Sequence, residues 1–473
     1  YENLGYTGNV DLSAPAGTAG TLLLDPKIVL FQAAVGADDA QIADGTINFA
    51  DGGTVTFTIG EAAMEAFVGN LVIEATSAAE AIGTSFTLNL SAVGNEGFSL
   101  TTRNDIALGD VAGDIHLFRM SIVGAGAGAI TIQGSSSGVA TSNVTVGSIS
   151  TVGGTITIDT NNGFVNLLGA INAGAATVTV RADGGAGDIT TLGNVTGTDV
   201  TYTAADSVTF GPAAITVTAT NNLVVIAVGD VTDLADVDFS VLAGNASFTS
   251  TGGDVILGDD LGTTLNFGNL TINAGGNASI AEDSGTTLTG SNVVAGTLTL
   301  SATANFSFGA LLVPVSVTAA SLAVTAGVSI FDFDDADLAV TGNASFTAGT
   351  TVTLGDEPLS DQNYGSLTVN TGAGISIVNE DSAMSLLGAS VSAGTLTLNS
   401  TGAIGGTGSA SATTLTLAAA GGGAIGSVGD PLDVTASTQL DASTAGGASI
   451  FLASAATVPL GVVNAGAGTF ALT

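Results

Sequence analysis

Short segments in which an aliphatic or aromatic residue alternates with Thr or Ser recur almost from one end of the chain to the other. Thr-Val-Thr-Phe-Thr-Ile at 54–59, Thr-Ile-Thr-Ile at 155–158, Thr-Val-Thr-Val at 177–180 and Val-Thr-Tyr-Thr at 200–203 are four of them. Ile-Thr-Val-Thr at 215–218 and Thr-Leu-Thr-Leu at 297–300, 395–398 and 414–417 are four more. A period of two puts the apolar side chains on one face and the hydroxyls on the other, as in a half-buried strand. Gly, Asn, Asp and Ala-Gly pairs separate the segments, and these supply turns. One stretch reads as a short helix: Glu-Ala-Ala-Met-Glu-Ala-Phe-Val at 61–68, preceded by Thr58 and stopped by Gly69-Asn70.

The segments belong to a longer repeat. Gly-Asn-Ala-Ser-Phe-Thr at 244–249 returns at 342–347, and Leu-Gly-Asp at 257–259 returns at 354–356. Asn-Phe-Gly-Asn-Leu-Thr at 266–271 returns as Asn-Tyr-Gly-Ser-Leu-Thr at 363–368. Glu282-Asp283-Ser284 returns as Glu380-Asp381-Ser382, and Ala-Gly-Thr-Leu-Thr-Leu at 295–300 returns at 393–398. The offsets are 98, 97, 97, 98 and 98 residues, so a unit of about 98 residues is duplicated over roughly 240–400. A propeller blade is shorter and carries its own aromatic motifs, and this chain has no Trp. Immunoglobulin-like sandwiches have units of about 100 residues. The irregular internal spacing, the Gly-rich turns and a total of 7 Pro favour stacked coils of about 20–25 residues instead. The expectation is an all-β, right-handed parallel β-helix (β-solenoid) of about 20 coils with one short helix near the N-terminus. Residues 1–19 form an extension, 20–235 an irregular solenoid part, and 236–473 the solenoid part that holds the duplication.

Charge narrows the partners. The chain of 473 residues has 41 acidic and 4 basic side chains, a formal net charge of −37. Lys27, Arg103, Arg119 and Arg181 are the four, so the last 292 residues contain no cation. Phosphate backbones need Lys and Arg, which makes nucleic acid a poor partner, and an anionic membrane surface would repel the chain. Disulfides and Cys-based metal or thiol chemistry are ruled out, because there is no Cys. The mean hydropathy is +0.55, yet no run approaches the roughly 18 apolar residues of a spanning helix. The chain opens at Tyr1 with no leader-like segment and stops in mid-strand at 468–473. That pattern is expected of a mature form, of a piece of something longer, or of an edge that a second subunit covers.

The stretch 20–29 (Gly-Thr-Leu-Leu-Leu-Asp-Pro-Lys-Ile-Val), the helix at 61–68 and Asn-Leu-Val-Ile-Glu-Ala at 70–75 resemble a recurring segment of large secreted bacterial β-helix proteins. These are the filamentous-haemagglutinin-like adhesins. The later unit resembles repeats of very large secreted bacterial surface proteins. The resemblance implies a right-handed β-helix, secretion and a role at the cell surface or in a matrix. It brings no catalytic residues, and the family's N-terminal secretion domain is not recognisable.

Little in the chain suggests catalysis. His116 is the only His, in a strand-like context (Asp-Ile-His-Leu-Phe-Arg at 114–119), and reads as an outward or satisfied side chain. The Gly-rich run at 124–128 lacks a following Lys-Ser/Thr and reads as a corner. A β-helix enzyme acting on polysaccharide is the enzymatic rival, but sugar platforms need aromatics, and these are 5% of the chain. Thr-x-Thr pairs raise ice binding; as outward strand residues they need no such role. Acidic clusters leave two readings open, a solvated ridge or calcium bridging coils or molecules. The calcium candidates are Asp332, Asp334, Asp335, Asp259 and Asp260, with Phe331 and Phe333 expected inward and Asp332 and Asp334 outward. Asn-x-Ser/Thr sequons, among them Asn143, Asn194 and Asn277, read as chance in a chain rich in Ser and Thr.

The expected role is structural and extracellular: a building block of a filament, fibre or surface layer that stacks end to end with itself. The stalk of a large adhesin, bound to a cell surface or extracellular matrix, is the alternative. Neither nucleic acid nor membrane insertion is expected, and calcium is the one cofactor considered.

Overall fold

The computed structural model describes residues 21–24, 28–37, 39, 56–66, 70–75, 78–89, 98–102, 114–117, 119–124, 128–134 and 142–473, apart from 235, 260–262, 334, 358 and 373. It is a parallel β-solenoid of about 16 turns with almost no helix. The chain forms two compact units, residues 1–244 with 260–264 and residues 245–259 with 265–473.

In the first unit each full coil contributes three strands, and each strand pairs in parallel with its counterpart one coil on. One ladder stacks Ile130, Ile156, Val178, Val200 and Leu223, in steps of 26, 22, 22 and 23 residues. A second stacks Ile115, Val144, Val165, Ile189, Val208 and Val231. A third stacks Ile122, Ile149, Ile171, Val195, Val217 and Phe239. All of these side chains are buried. Between them, Thr131, Thr157, Thr179 and Thr201 line up on the outer side of the first ladder. The alternation read from the sequence is therefore a choice of inside and outside, and β-branched residues suit both. Tyr202, Phe210 and Phe239 fill the interior edge to face, with ring centroids 5.1 and 4.9 Å apart.

The turn count falls below the expected 20 because the early coils are long. Thr21 pairs with Asn70, 49 residues on, and Phe98 pairs with Ile130, 32 residues on. The first of these coils includes the strand Thr56–Gly60 and the helix α1, Glu61–Glu65. The helix is shorter than expected, and Thr58 lies in the strand rather than at a cap. Instead the Asp39 carboxylate accepts from the Gly60 N–H (2.6 Å) and the Gly36 N–H (2.7 Å). Met64 anchors α1 in the interior.

In the second unit a single long strand serves two ladders. Gly290–Ala302, Val315–Ala326 and Ala336–Ala348 each change register midway, between Val294 and Thr297, Ala319 and Leu322, and Val340 and Asn343. We call the ladder through Val294, Ala319, Val340 and Tyr364 ladder A. Ladder B runs through Leu257, Ile280, Leu300, Val324 and Phe346. Ladder C runs through Leu288, Phe308 and Asp332, and further on through Val378, Leu398 and Leu417.

These registers show how the 98-residue repeat is wound. Four coil steps on ladder B lead from Leu257 to Phe346, and eight residues more reach Leu354, the repeat partner of Leu257, on ladder C. Leu298 pairs on ladder B with Leu322, whereas its partner Leu396 pairs on ladder C with Leu415. Glu282 pairs with Ala302 on ladder B, and Glu380 with Ser400 on ladder C. One repeat is thus four coils and about a third, and its copies lie on neighbouring faces.

Candidate functional site

The repeat's Glu-Asp-Ser triplet marks a seam where strand pairing changes partners. Leu270 pairs forward with Leu288, and at the matching place in the second copy Leu367 pairs with Leu386. Backbone N–H groups beside each seam are met by side chains. Leu265 N–H donates to Asp283 Oδ2 (3.1 Å), and Phe267 N–H donates to Glu282 Oε1 (2.6 Å). In the second copy Gln362 N–H donates to Asp381 Oδ2 (2.9 Å), and Tyr364 N–H donates to Glu380 Oε1 (3.1 Å). Ser284 and Ser382 donate to the same glutamates at 3.2 and 3.1 Å. Ile272 N–H donates to buried Asn292 Oδ1 (2.7 Å), and Val369 N–H to buried Ser390 Oγ (3.1 Å). Such substitutes are needed because an unmet buried N–H is destabilising.

The two seams differ in one partner. Thr286 donates to Glu282 Oε2. The residue 98 positions on is Met384, which has no hydroxyl, and Glu380 Oε2 is left without a hydrogen bond. The second seam is also the more polar, because Gln362 and Tyr364 stand where the first copy has Leu265 and Phe267. Gln362 Nε2 donates to Asp332 Oδ2 (3.2 Å) and to the Ala336 carbonyl (2.9 Å), and Tyr364 Oη donates to Gln362 Oε1 (2.6 Å). Asp332 Oδ2 also accepts from Gly355 N–H (2.8 Å), while Asp332 Oδ1 makes no hydrogen bond of good geometry. The Tyr364 ring packs on Phe346, which packs on Phe308, at 5.7 and 6.3 Å. A polar chain thus runs through an aromatic interior.

Burial is close to complete: Glu282 is 3% exposed, Asp332 4% and Glu380 2%. Desolvation pushes each of these carboxyls up to about 7. For Glu282 the hydrogen bonds from Thr286, Phe267 N–H and Ser284 oppose that rise, and Asp283 adds to it. For Asp332 the Gly355 N–H, its own N–H and the Ser360 hydroxyl oppose it, and Asp356 adds to it. For Glu380 the Tyr364 N–H and Ser382 oppose it and Asp381 adds to it. Tyr364 is raised well above its ordinary value by burial, then by Asp332, Glu380 and Asp381.

Three of the five calcium candidates, Asp259, Asp332 and Asp335, lie among the described residues. Asp332 points inward, not outward, and Phe331 and Phe333 lie half-buried on the outer side, 5.5 Å apart edge to face. Ile330 sets this parity: it is buried, so the residue two further on is inside as well. Asp259 and Asp335 are exposed, and Asp335 has a left-handed φ of 65° at a corner. Asp260 and Asp334 lie outside the described residues. Among the described residues no three His, Cys, Asp or Glu side chains group in a way that could hold a metal ion.

Other polar side chains tie coil to coil. Asp114 Oδ1 accepts from Asn143 N–H (2.8 Å), and Asp254 Oδ1 accepts from Asn277 N–H (2.6 Å). The sequon asparagines Asn194 and Asn277 accept from Thr216 N–H and Thr297 N–H, both at 2.9 Å. His116 stacks between Glu80 and Thr145 on the outer side, with Nε2 3.8 Å from Asp114. No protein-family model, no curated protein and no solved structure matches the chain.

The sequence marks the Glu-Asp-Ser triplets as repeat anchors without placing them inside. The signal available was their recurrence beside the Asn-Phe-Gly and Asn-Tyr-Gly segments in a region without Lys or Arg.

Proposed function

We propose that the chain is an extracellular structural protein, a solenoid segment that builds a filament, fibre or surface layer by stacking end to end with itself. The observation that carries this reading is the stacking itself: coil after coil pairs through parallel backbone hydrogen bonds, down to Leu460–Asn464 and Phe470–Leu472, which pair with the coil before them. A coil edge of this kind can take a further parallel strand, from more of the same chain or from a second copy. Backbone hydrogen bonds carry no net charge, so this contact tolerates a charge of −37 that opposes sideways association. The winding of the repeat supports the same role: copies a third of a turn apart spread their outer side chains around the solenoid instead of concentrating them on one face.

The alternative is an adhesin stalk, in which the edge meets more of the same chain. No catalytic role and no nucleic-acid partner enter either reading. Calcium, if it acts, bridges neighbouring molecules through exposed carboxylates such as Asp259 and Asp335. Sedimentation velocity over a range of concentrations, with calcium and with chelator, tests the proposal. The expected outcome is association that grows with concentration in both conditions and that Leu460→Lys together with Val462→Lys abolishes. A monomer at every concentration overturns the self-stacking reading and favours the stalk.

A further inference from the structure

The seams of the second unit bury three carboxyls in a stretch with no cation. No Lys or Arg occurs after Arg181, and among the described residues no cationic side chain acts on Glu282, Asp332 or Glu380. The titratable groups near them are Asp283 for Glu282, Asp356 and Tyr364 for Asp332, and Asp381 and Tyr364 for Glu380. Every one of these is acidic or neutral. Glu380 Oε2 is buried with no hydrogen-bond donor, and Asp332 Oδ1 makes no hydrogen bond of good geometry, although its own N–H and the Ser360 hydroxyl act on that carboxyl. A charged oxygen in that setting loses its hydration without return, and a protonated carboxyl loses far less.

We propose that the carboxyls of Glu282, Asp332 and Glu380 are proton-binding sites that lock the second unit: taking up a proton at each tightens the seams, and releasing it loosens them. The lock works through the strand pairing itself. Glu282 and Glu380 hold the backbone N–H groups of Phe267 and Tyr364, and Asp332 holds Gly355 and, through Gln362, the start of the strand Gln362–Thr371. When these groups ionise, water is drawn toward the seams and the adjoining coils part there first. The raised pKa values agree in sign. Each folded group holds its proton to a higher pH than the unfolded chain does, so its stabilisation is complete below the ordinary carboxyl range and is lost as pH rises through about 7. The lock needs no particular state of assembly and stands apart from the stacking proposal.

Ordinary carboxyls have finished titrating by pH 6, there is no Cys, and the other groups to set apart in this window are His116, the α-amino group and Asp159, which burial raises in the first unit. Thermal unfolding followed by circular dichroism from pH 5.5 to 8.5 should give a midpoint that falls by several degrees through neutrality. His116→Gln should keep that fall, and the triple variant Glu282→Gln, Asp332→Asn, Glu380→Gln should flatten it. A flat or rising midpoint in the wild type overturns the proposal, as does an undiminished fall in the triple variant. Restoration of the pH 8.5 midpoint by added calcium, abolished by the triple variant, also overturns it, because the interior would then take a cation in place of protons. If the triple variant fails to fold, infrared spectra of the wild type decide. The C=O stretch of protonated carboxyl should be present at pH 6 and lost by pH 8.5, and its absence at pH 6 refutes the lock.

Discussion

A single methyl group is enough to test how closely the coils approach. Gly327, Gly349 and Gly372 stand at one corner of successive coils. A Cβ on Gly349 would lie 2.1 Å from the Gly327 carbonyl oxygen, and one on Gly372 would lie 1.8 Å from the Gly349 oxygen. Both contacts are with backbone, which cannot swing aside. Gly349→Ala should therefore destabilise the second unit by about 1–3 kcal/mol in urea denaturation, the range for overpacking. An unchanged midpoint would mean that the corner is looser than described. Thr286→Val removes the donor to Glu282 Oε2 and leaves a buried oxygen unmet, at a cost of about 1–3 kcal/mol. The Thr286 hydroxyl also holds the Glu282 pKa down, so without it the folded group binds its proton more tightly still. The loss should be larger at pH 8 than at pH 5, because stability contributed by a raised carboxyl disappears as pH rises through its folded pKa. Denaturation at the two pH values checks both the size and the direction.

At the level of strands and coils, the period of two was legible and the parity was not always so. Ile156-Thr157-Ile158 and Val178-Thr179-Val180 could be placed with certainty, because only one face of each is apolar. Phe331-Asp332-Phe333 could not, since two Phe suggest an inward pair, while the buried Ile330 just before them fixes the opposite phase. The 98-residue duplication was legible from its five anchors. Its advance by a third of a turn was hidden, because corner length varies from coil to coil and only the register of Leu257 against Leu354 reveals it. The long early coils were hidden for a similar reason: nothing in residues 21–70 announces that Thr21 and Asn70 are neighbours. The seam carboxyls escaped because a turn with Glu, Asp and Ser reads as solvated unless the backbone N–H groups it serves are known. The Asx ties make a prediction on this scale. Asn277 Oδ1 joins its coil to Thr297 N–H, so Asn277→Ala should cost about 0.5–1.5 kcal/mol and speed amide exchange at Thr297. Exchange at Thr190, in the other unit, should not change.

For the molecule as a whole, charge and strand pairing act in different directions. The excess of 41 acidic over 4 basic side chains repels copies side by side, and raising the salt concentration should weaken that repulsion. If copies stack as proposed, association side by side should increase with salt or calcium, while stacking through strand edges should depend on them little. Fibre diffraction from electron-microscopy-verified preparations of the purified chain is the most direct test of self-stacking. The expected result is unbranched filaments that diffract at about 4.8 Å along their axis, the spacing of parallel strands stacked coil upon coil. Discrete particles that never lengthen with concentration, or filaments whose strand spacing runs across the axis, would contradict it.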